Sequence, residues 1–208
     1  MLKRRVMYVV SLFILLAGCA STPQLNSEAR AHVGAVRIDA AIDTPSEMYY
    51  SSQASALGVS VFGAIGGGVG VAIDESRGGE LDRLARDNGI HIDLIVREEA
   101  GTAFQQSGKL NLTDVKGADV ATLKISITMY GFSVPTGFTS ELVPIVGIKC
   151  TLVDSTGKTI WSANQSTHPL GNPVAGKTRD QFLADPKLID ASWRAATKSV
   201  MVDIVSHM

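Results

Sequence analysis

The chain has no excess of basic charge. Its 208 residues carry 19 lysines and arginines against 20 acids, a formal charge of −1. A nucleic-acid-binding domain needs a basic stripe or patch, so nucleic acid is excluded as a partner. Cysteine is scarce too: Cys19 and Cys150 are the only two, so no disulfide framework can be built. No stretch of the N-terminal apolar block is long enough for a membrane span. Val6 to Leu16 falls well short of the roughly 20 apolar residues a bilayer requires.

The signatures of familiar enzymes are missing as well. His32, His91, His168 and His207 are scattered, and none belongs to a His-Glu-x-x-His pair. Gly58-Val59-Ser60 begins a Gly-x-Ser-x-Gly elbow, but Phe62 stands where the closing glycine belongs. Gly68-Val69-Gly70 begins a dinucleotide loop, but Ile73 replaces its third glycine and no Lys-Ser/Thr follows. Glu98 and Glu99 are adjacent on a predicted helix and point about 100° apart, so they read as a solvated face. His91 with Asp93, and Asp39 with Asp43, are the remaining polar groupings and read as surface chemistry. The expectation is a protein without catalytic residues, metal or cofactor.

What is present begins at the N-terminus. Lys3, Arg4 and Arg5 precede the apolar run Val6 to Leu16, and Leu16-Ala17-Gly18-Cys19 ends it. A positive region, an apolar region and a small-residue cleavage site make an export signal. With cysteine directly after the small pair, the site resembles the lipobox of bacterial lipoproteins. That resemblance implies cleavage between Gly18 and Cys19, acylation of the Cys19 thiol by palmitate or another fatty chain, and attachment to a membrane of the cell envelope. Ala20 stands where an aspartate would mark inner-membrane retention in enteric bacteria, so the resemblance points to the outer membrane, with the protein facing the periplasm. Removal of residues 1–18 leaves 16 basic residues against 20 acids, without a polybasic patch for anionic lipid.

Three regions follow: a signal peptide over 1–18, a polar tether over 19–32, and one domain over 33–208, long enough for a real core. Within the domain, Val36, Ile38, Ala40 and Ile42 alternate with polar residues as in a half-buried strand. Glu80 to Asn88 reads as a helix stopped by Gly89, and His91 to Ser107 as a helix stopped by Gly108, with a strand over 90–96 as the rival for its first half. Leu110 and Leu112 mark a short strand. Leu123, Ile125, Ile127 and Met129 alternate with Lys124, Ser126, Thr128 and Tyr130, which predicts a strand with one wet face and therefore an antiparallel neighbour. Phe132 to Thr139 reads as a loop, Leu142 to Val153 as a strand, Asp154 to Lys158 as a hairpin turn with Gly157 at positive φ, and Thr159 to Ser166 as the returning strand. Cys150 falls on the apolar face of its strand as a small buried hydrophobe. A polar loop over Thr167 to Thr178 precedes a final helix. Asp185 is its expected N-cap and Pro186 its first residue, and Ile189, Trp193, Ala196, Val200 and Ile204 form one stripe. The fold class is α+β: a two-layer domain with a mostly antiparallel sheet of four or five strands, helices on one face and a C-terminal amphipathic helix.

One stretch stands apart. Tyr49 to Ile73 carries no charge, and Gly63, Gly66, Gly67 and Gly70 recur at four-residue spacing within it. That spacing suits close packing within the domain or with a partner. The alternatives to that packing are helix assembly or insertion in a membrane, and a flexible loop.

The order of elements, with Ala118-Asp119 before the long strand, Gly131-Phe132 at its end and Asp154-x-x-Gly157-Lys158-x-Ile160-Trp161 in the hairpin, resembles small bacterial envelope lipoproteins. Their α/β domain is of the kind at the N-terminus of TolB and in CsgG-like assembly proteins. The resemblance implies an accessory or assembly role: membrane attachment through Cys19, and binding to another envelope protein or to itself. Sheet edges and the loops Phe132 to Thr139 and Thr167 to Thr178 are the expected surfaces. The alternative is a membrane-inserting or self-assembling lipoprotein that uses residues 49–73.

Overall fold

The computed structural model describes residues 25, 33–53, 77–115, 117, 119–136 and 138–208. The lipobox with Gly18 and Cys19, and the glycines Gly63, Gly66, Gly67 and Gly70, lie outside the described residues. Of the expected tether only Leu25 is described. Its side chain is 4% exposed and belongs to the main core, so a free tether does not extend through that residue.

Seven strands and four helices are described. In order they are β1 (Ala35–Asp43), β2 (Tyr49–Ser51), α1 (residues 77–87), α2 (Ile92–Ser107), β3 (Asn111–Leu112), β4 (Ala121–Ser133), β5 (Glu141–Val153), β6 (Thr159–Ser166), β7 (Lys177–Thr178), α3 (Arg179–Ala184) and α4 (Lys187–Ser206). The sheet runs β3-β1-β4-β5-β6, with β2 beside the far end of β4 and β7 beside the start of β5. It is mixed. β4 pairs with β5 antiparallel from Thr122↔Val153 to Ser133↔Val143, and with β1 and β2 in parallel. The expected antiparallel neighbour is therefore found on one side of β4 only. A wet face tells whether a sheet is covered, not which way the neighbouring strand runs, and α1 and α2 supply the crossover a parallel pair needs.

The helices cover one face. Leu123, Ile125 and Ile127 of β4, with Ile148, Cys150 and Leu152 of β5, meet Ile189, Trp193, Ala196, Val200 and Ile204 of α4, and all are buried in one core. Ile92, Ile95, Val96, Ala100 and Phe104 of α2 complete it, which rules out the rival strand over 90–96. α2 ends at Gly108 with φ 62°, and the 154–158 hairpin turns with Gly157 at φ 90°. α4 begins one residue later than expected: Pro186 is its cap residue, while the Asp185 carboxylate still accepts from Lys187 N at 3.2 Å. Lys109 Nζ reaches Val205 O at 2.8 Å, placing a cation at the helix's C-terminal carbonyls.

Two irregularities break the expected alternation. β1 uses four residues from Ile38 to Ile42 where β4 uses two, from Leu123 to Ile125. Ala40 is consequently exposed instead of facing the core, and its carbonyl accepts from Arg97 of α2. In β4 the register shifts between Ile127 and Met129, and such a bulge swaps the faces of the residues beyond it. Tyr130, expected on the wet face, is 5% exposed in the core, and Met129 leaves it. Phe132, expected in a loop, is fully buried in the last turn of the strand.

Candidate functional site

Three segments end at the same end of the sheet. β4 and β5 meet there in the 134–140 loop, because Ser133 pairs with Val143. β6 leaves β5 after Gly147↔Ser166, and the chain returns to the same edge at Glu141↔Thr178. The intervening loop is pinned down: Thr167 Oγ1 accepts from Val146 N at 2.9 Å, and Asn172 Nδ2 donates to Pro144 O at 2.8 Å. β2 runs beside β4 toward this end, where Ser51 O accepts from Val134 N at 3.0 Å. Gln53, where the chain leaves β2, and Arg77, where it enters α1, both line one cleft of about 340 Å³ together with Val134, Leu142, Thr178 and Arg179.

The chemistry of this end is set by what its sequence omits. Residues 48–53, 125–140 and 159–176 contain no aspartate, glutamate, lysine or arginine, and the charges of this end, Arg77, Glu141, Lys177, Arg179 and Asp180, stand at the base of the loops. Two large apolar side chains nevertheless stand in solvent on the loops, Phe138 at 91% exposed and Leu170 at 71%. Beneath them the strands are buried on both faces. Leu142, Val146 and Ile148 belong to the helix-side core, while Val143 at 5% and Ile145 at 1% are buried outside it. Gly131 permits this closeness. Its φ is 145°, and a Cβ there would stand 1.8 Å from Tyr49 O.

The base of the cleft is braced by ion pairs. Arg179 of α3 binds Glu80 of α1. α3 itself is set by a capping box in which Thr178 Oγ1 accepts from Gln181 N at 3.3 Å and Gln181 Oε1 accepts from Thr178 N at 2.9 Å. This Thr-x-x-Gln signal was available in the sequence. Asp82 on α1, 8% exposed, binds Arg86 and accepts from the Tyr130 hydroxyl at 3.2 Å. Burial, followed by the nearby Asp82 carboxylate, pushes the Tyr130 hydroxyl up to about 12. Nothing in this set combines a nucleophile with a base; the arrangement joins α1 to β4.

The other polar groupings stay apart. Glu98 and Glu99, expected to be solvated, both approach Arg194 of α4, at 2.6 and 3.5 Å, and Asp190 reaches the same guanidinium at 2.9 Å. They clamp α2 to α4. Asp39 and Asp43 line an open cleft of about 600 Å³ with Lys124 and Lys149, on the sheet face away from the helices. The Asp39 carboxylate accepts from Ala41 N at 3.3 Å within the β1 irregularity. His91 precedes α2 without a side-chain cap bond, His168 lies in the loop after β6, and His207 Nδ1 sits 2.7 Å from Asp203 O at the end of α4. Among the described residues no group of three or more His, Cys, Asp or Glu could hold a metal. Cys150 is fully buried, and that burial pushes its thiol up to about 12. No helix among the described residues is long and apolar enough to cross a membrane.

No family model and no curated protein matches the chain. Solved structures similar to it include a PelC dodecamer from Paraburkholderia phytofirmans, at 12% identity over 90% of this chain and 94% of that one, TM-score 0.40. Protein XCC0632 from Xanthomonas campestris, of family DUF330, is 15% identical over 53% of this chain, which spans 57% of that protein, TM-score 0.38. A minor lipoprotein from Acinetobacter baumannii is 13% identical over 54% of this chain and 84% of that one, TM-score 0.30. At these identities and scores the likeness assigns no function.

Proposed function

We propose that the chain is a lipoprotein of the bacterial envelope. In this reading residues 1–18 are removed, Cys19 is acylated, and the domain is held at the outer membrane facing the periplasm as a non-catalytic accessory or assembly factor that binds another envelope protein. The observation that carries the reading is Leu16-Ala17-Gly18-Cys19 behind Lys3-Arg4-Arg5 and an apolar run too short to span. The uncharged loops 134–140 and 167–176 at one end of the sheet support a binding role, since the cores of protein interfaces are depleted of charge. The outer edge of β6 adds to it: its residues Thr159 to Ser166 include none of the charges or prolines that commonly guard an edge strand.

The test is metabolic labelling with a fatty-acid analogue. The wild-type chain is expected to take the label, and Cys19→Ala to lose it and accumulate as an unprocessed precursor. Labelling that survives Cys19→Ala overturns the reading.

The second reading, a membrane-inserting or self-assembling protein that uses residues 49–73, draws on one observation. The uncharged stretch departs and returns beside the same cleft, at Gln53 and Arg77.

A further inference from the structure

We propose that the end of the sheet carrying Phe138 and Leu170 docks on a lipid surface, with both side chains entering the headgroup region of a bilayer.

Three observations lead there. The first is exposure. Phe138 at 91% and Leu170 at 71% are the two most exposed large hydrophobic residues among those described, and they stand on neighbouring loops at one end of the molecule rather than scattered over it. Single exposed apolar residues are ordinary; grouped ones mark a contact surface. The second is charge. Both loops and the strands leading into them contain no aspartate, glutamate, lysine or arginine over 125–140 and 159–176, and the charges of this end, among them Glu141, Lys177 and Arg179, stand at the base of the loops instead of their tips. The opposite end carries Asp154 and Lys158 in its hairpin and Asp114 and Asp119 before β4. A surface that enters the headgroup layer must not bring unpaired charge with it, whereas phenylalanine, leucine and small polar residues are at home there. The third is the length of the tether, which bears on contact between the domain and a membrane. Leu25 is packed in the core, so six peptide steps separate it from Cys19. Fully extended, they span about 21 Å.

The choice of a bilayer as occupant rests on the lipid-anchor reading above. A domain moored on so short a chain meets the membrane at a high effective concentration. Rigidity favours contact as well. The 167–176 loop is tied to β5 by Thr167 and Asn172, so Leu170 is presented on a fixed base. Arg77, Lys177 and Arg179 stand at the base of these loops, with Arg179 paired to Glu80, while the loop tips themselves are apolar, so the contact should form on zwitterionic lipid.

The experiment uses the full chain, purified and reconstituted in phosphatidylcholine vesicles. A polarity-sensitive fluorophore is placed on Phe138→Cys and, in a second preparation, on Thr156→Cys in the hairpin at the opposite end. Cys150 is buried and does not compete for the label. The expected result is a blue shift at position 138, with quenching by lipids that carry a nitroxide on the acyl chain, and neither change at position 156. Protein that floats with the vesicles while both probes report water overturns the docking and leaves the anchor standing. If fatty-acid labelling shows that Cys19 is not acylated, its free thiol is removed by Cys19→Ala, the same two probes are read with vesicles in large excess, and the absence of a shift at 138 again overturns the docking. A shift at 138 that grows with protein concentration when no vesicles are present assigns the surface to a second copy instead, and also overturns it.

Discussion

β4 and β5 are paired along their whole length, yet the two halves of that pair are surrounded differently. Before the β4 register shift, Lys124, Thr128 and Lys149 are exposed, and Ser126 and Thr151 half-buried, on the face away from the helices. Beyond it, Gly131, Ser133, Val143 and Ile145 are buried on that same side. Pairing resumes at Met129↔Gly147 directly beyond the boundary; what changes between the halves is the covering. One half is a sheet with a wet face, and the other is closed on both. A single irregularity between Ile127 and Met129 moves Tyr130 and Phe132 onto the helix side, where their rings pack on Trp193 with centroids 5.6 and 5.8 Å away.

Trp193 is therefore the deepest test of the closed half. It is 1% exposed and touches both rings, so Trp193→Ala should cost roughly 4 kcal/mol in urea unfolding. A loss well under half of that would mean the closed half is not held by this cluster. Gly131→Ala comes next. The added methyl collides with Tyr49 O at 1.8 Å from a φ of 145°, so β2 must separate from β4, at a cost of roughly 3 kcal/mol. Hydrogen exchange should show the amides of residues 49–51 losing protection before those of β5. The open half provides the contrast. Lys149→Ala removes a side chain that points from an exposed position into an open polar cleft, and the change should stay within about 0.5 kcal/mol. A larger loss would show that this half is covered as well.

The sequence made the open half legible and the closed half hard to read. Before the shift, period-two alternation assigns faces correctly: Leu123, Ile125 and Ile127 inward, Lys124 and Thr128 outward. The same logic carried past the shift puts Met129 inward and Tyr130 outward, the reverse of what is found. A bulge leaves no mark in a period of two when polar and apolar residues alternate on both sides of it. Phe132 was lost to a loop because Gly131, Ser133 and Pro135 are turn residues in isolation; here Gly131 serves close strand approach instead. Helices were easier. The α4 stripe and the Gly89 and Gly108 stops follow from periodicity and capping alone, whereas the first half of α2 fits a strand nearly as well, and the burial of Val96 and Ala100 beside Ile92 and Ile95 decides for the helix. α3 was missed although Thr178-x-x-Gln181 announces it, because six residues are too few for a periodic signal. As for the interaction surface, both loops were visible in sequence, but their convergence was not. That depends on strand register, which pairs Glu141 with Thr178 and Ser133 with Val143.

The position of β1 has a consequence for how the domain is made. The strand lies between β3 and β4, with Val36 paired to Leu112 on one side and Ala121 on the other. Neither partner is local. β4, β5 and β6 form a meander of hairpins whose contacts are close in sequence, and they can assemble quickly. β1 must wait for them, since closing a loop that contains both α1 and α2 is repaid only once β4 stands ready to receive it. The first of the described strands in sequence is thus among the last to be seated. Until then β4 keeps an open edge, and a chaperone that shields that edge would shorten the route to the native sheet.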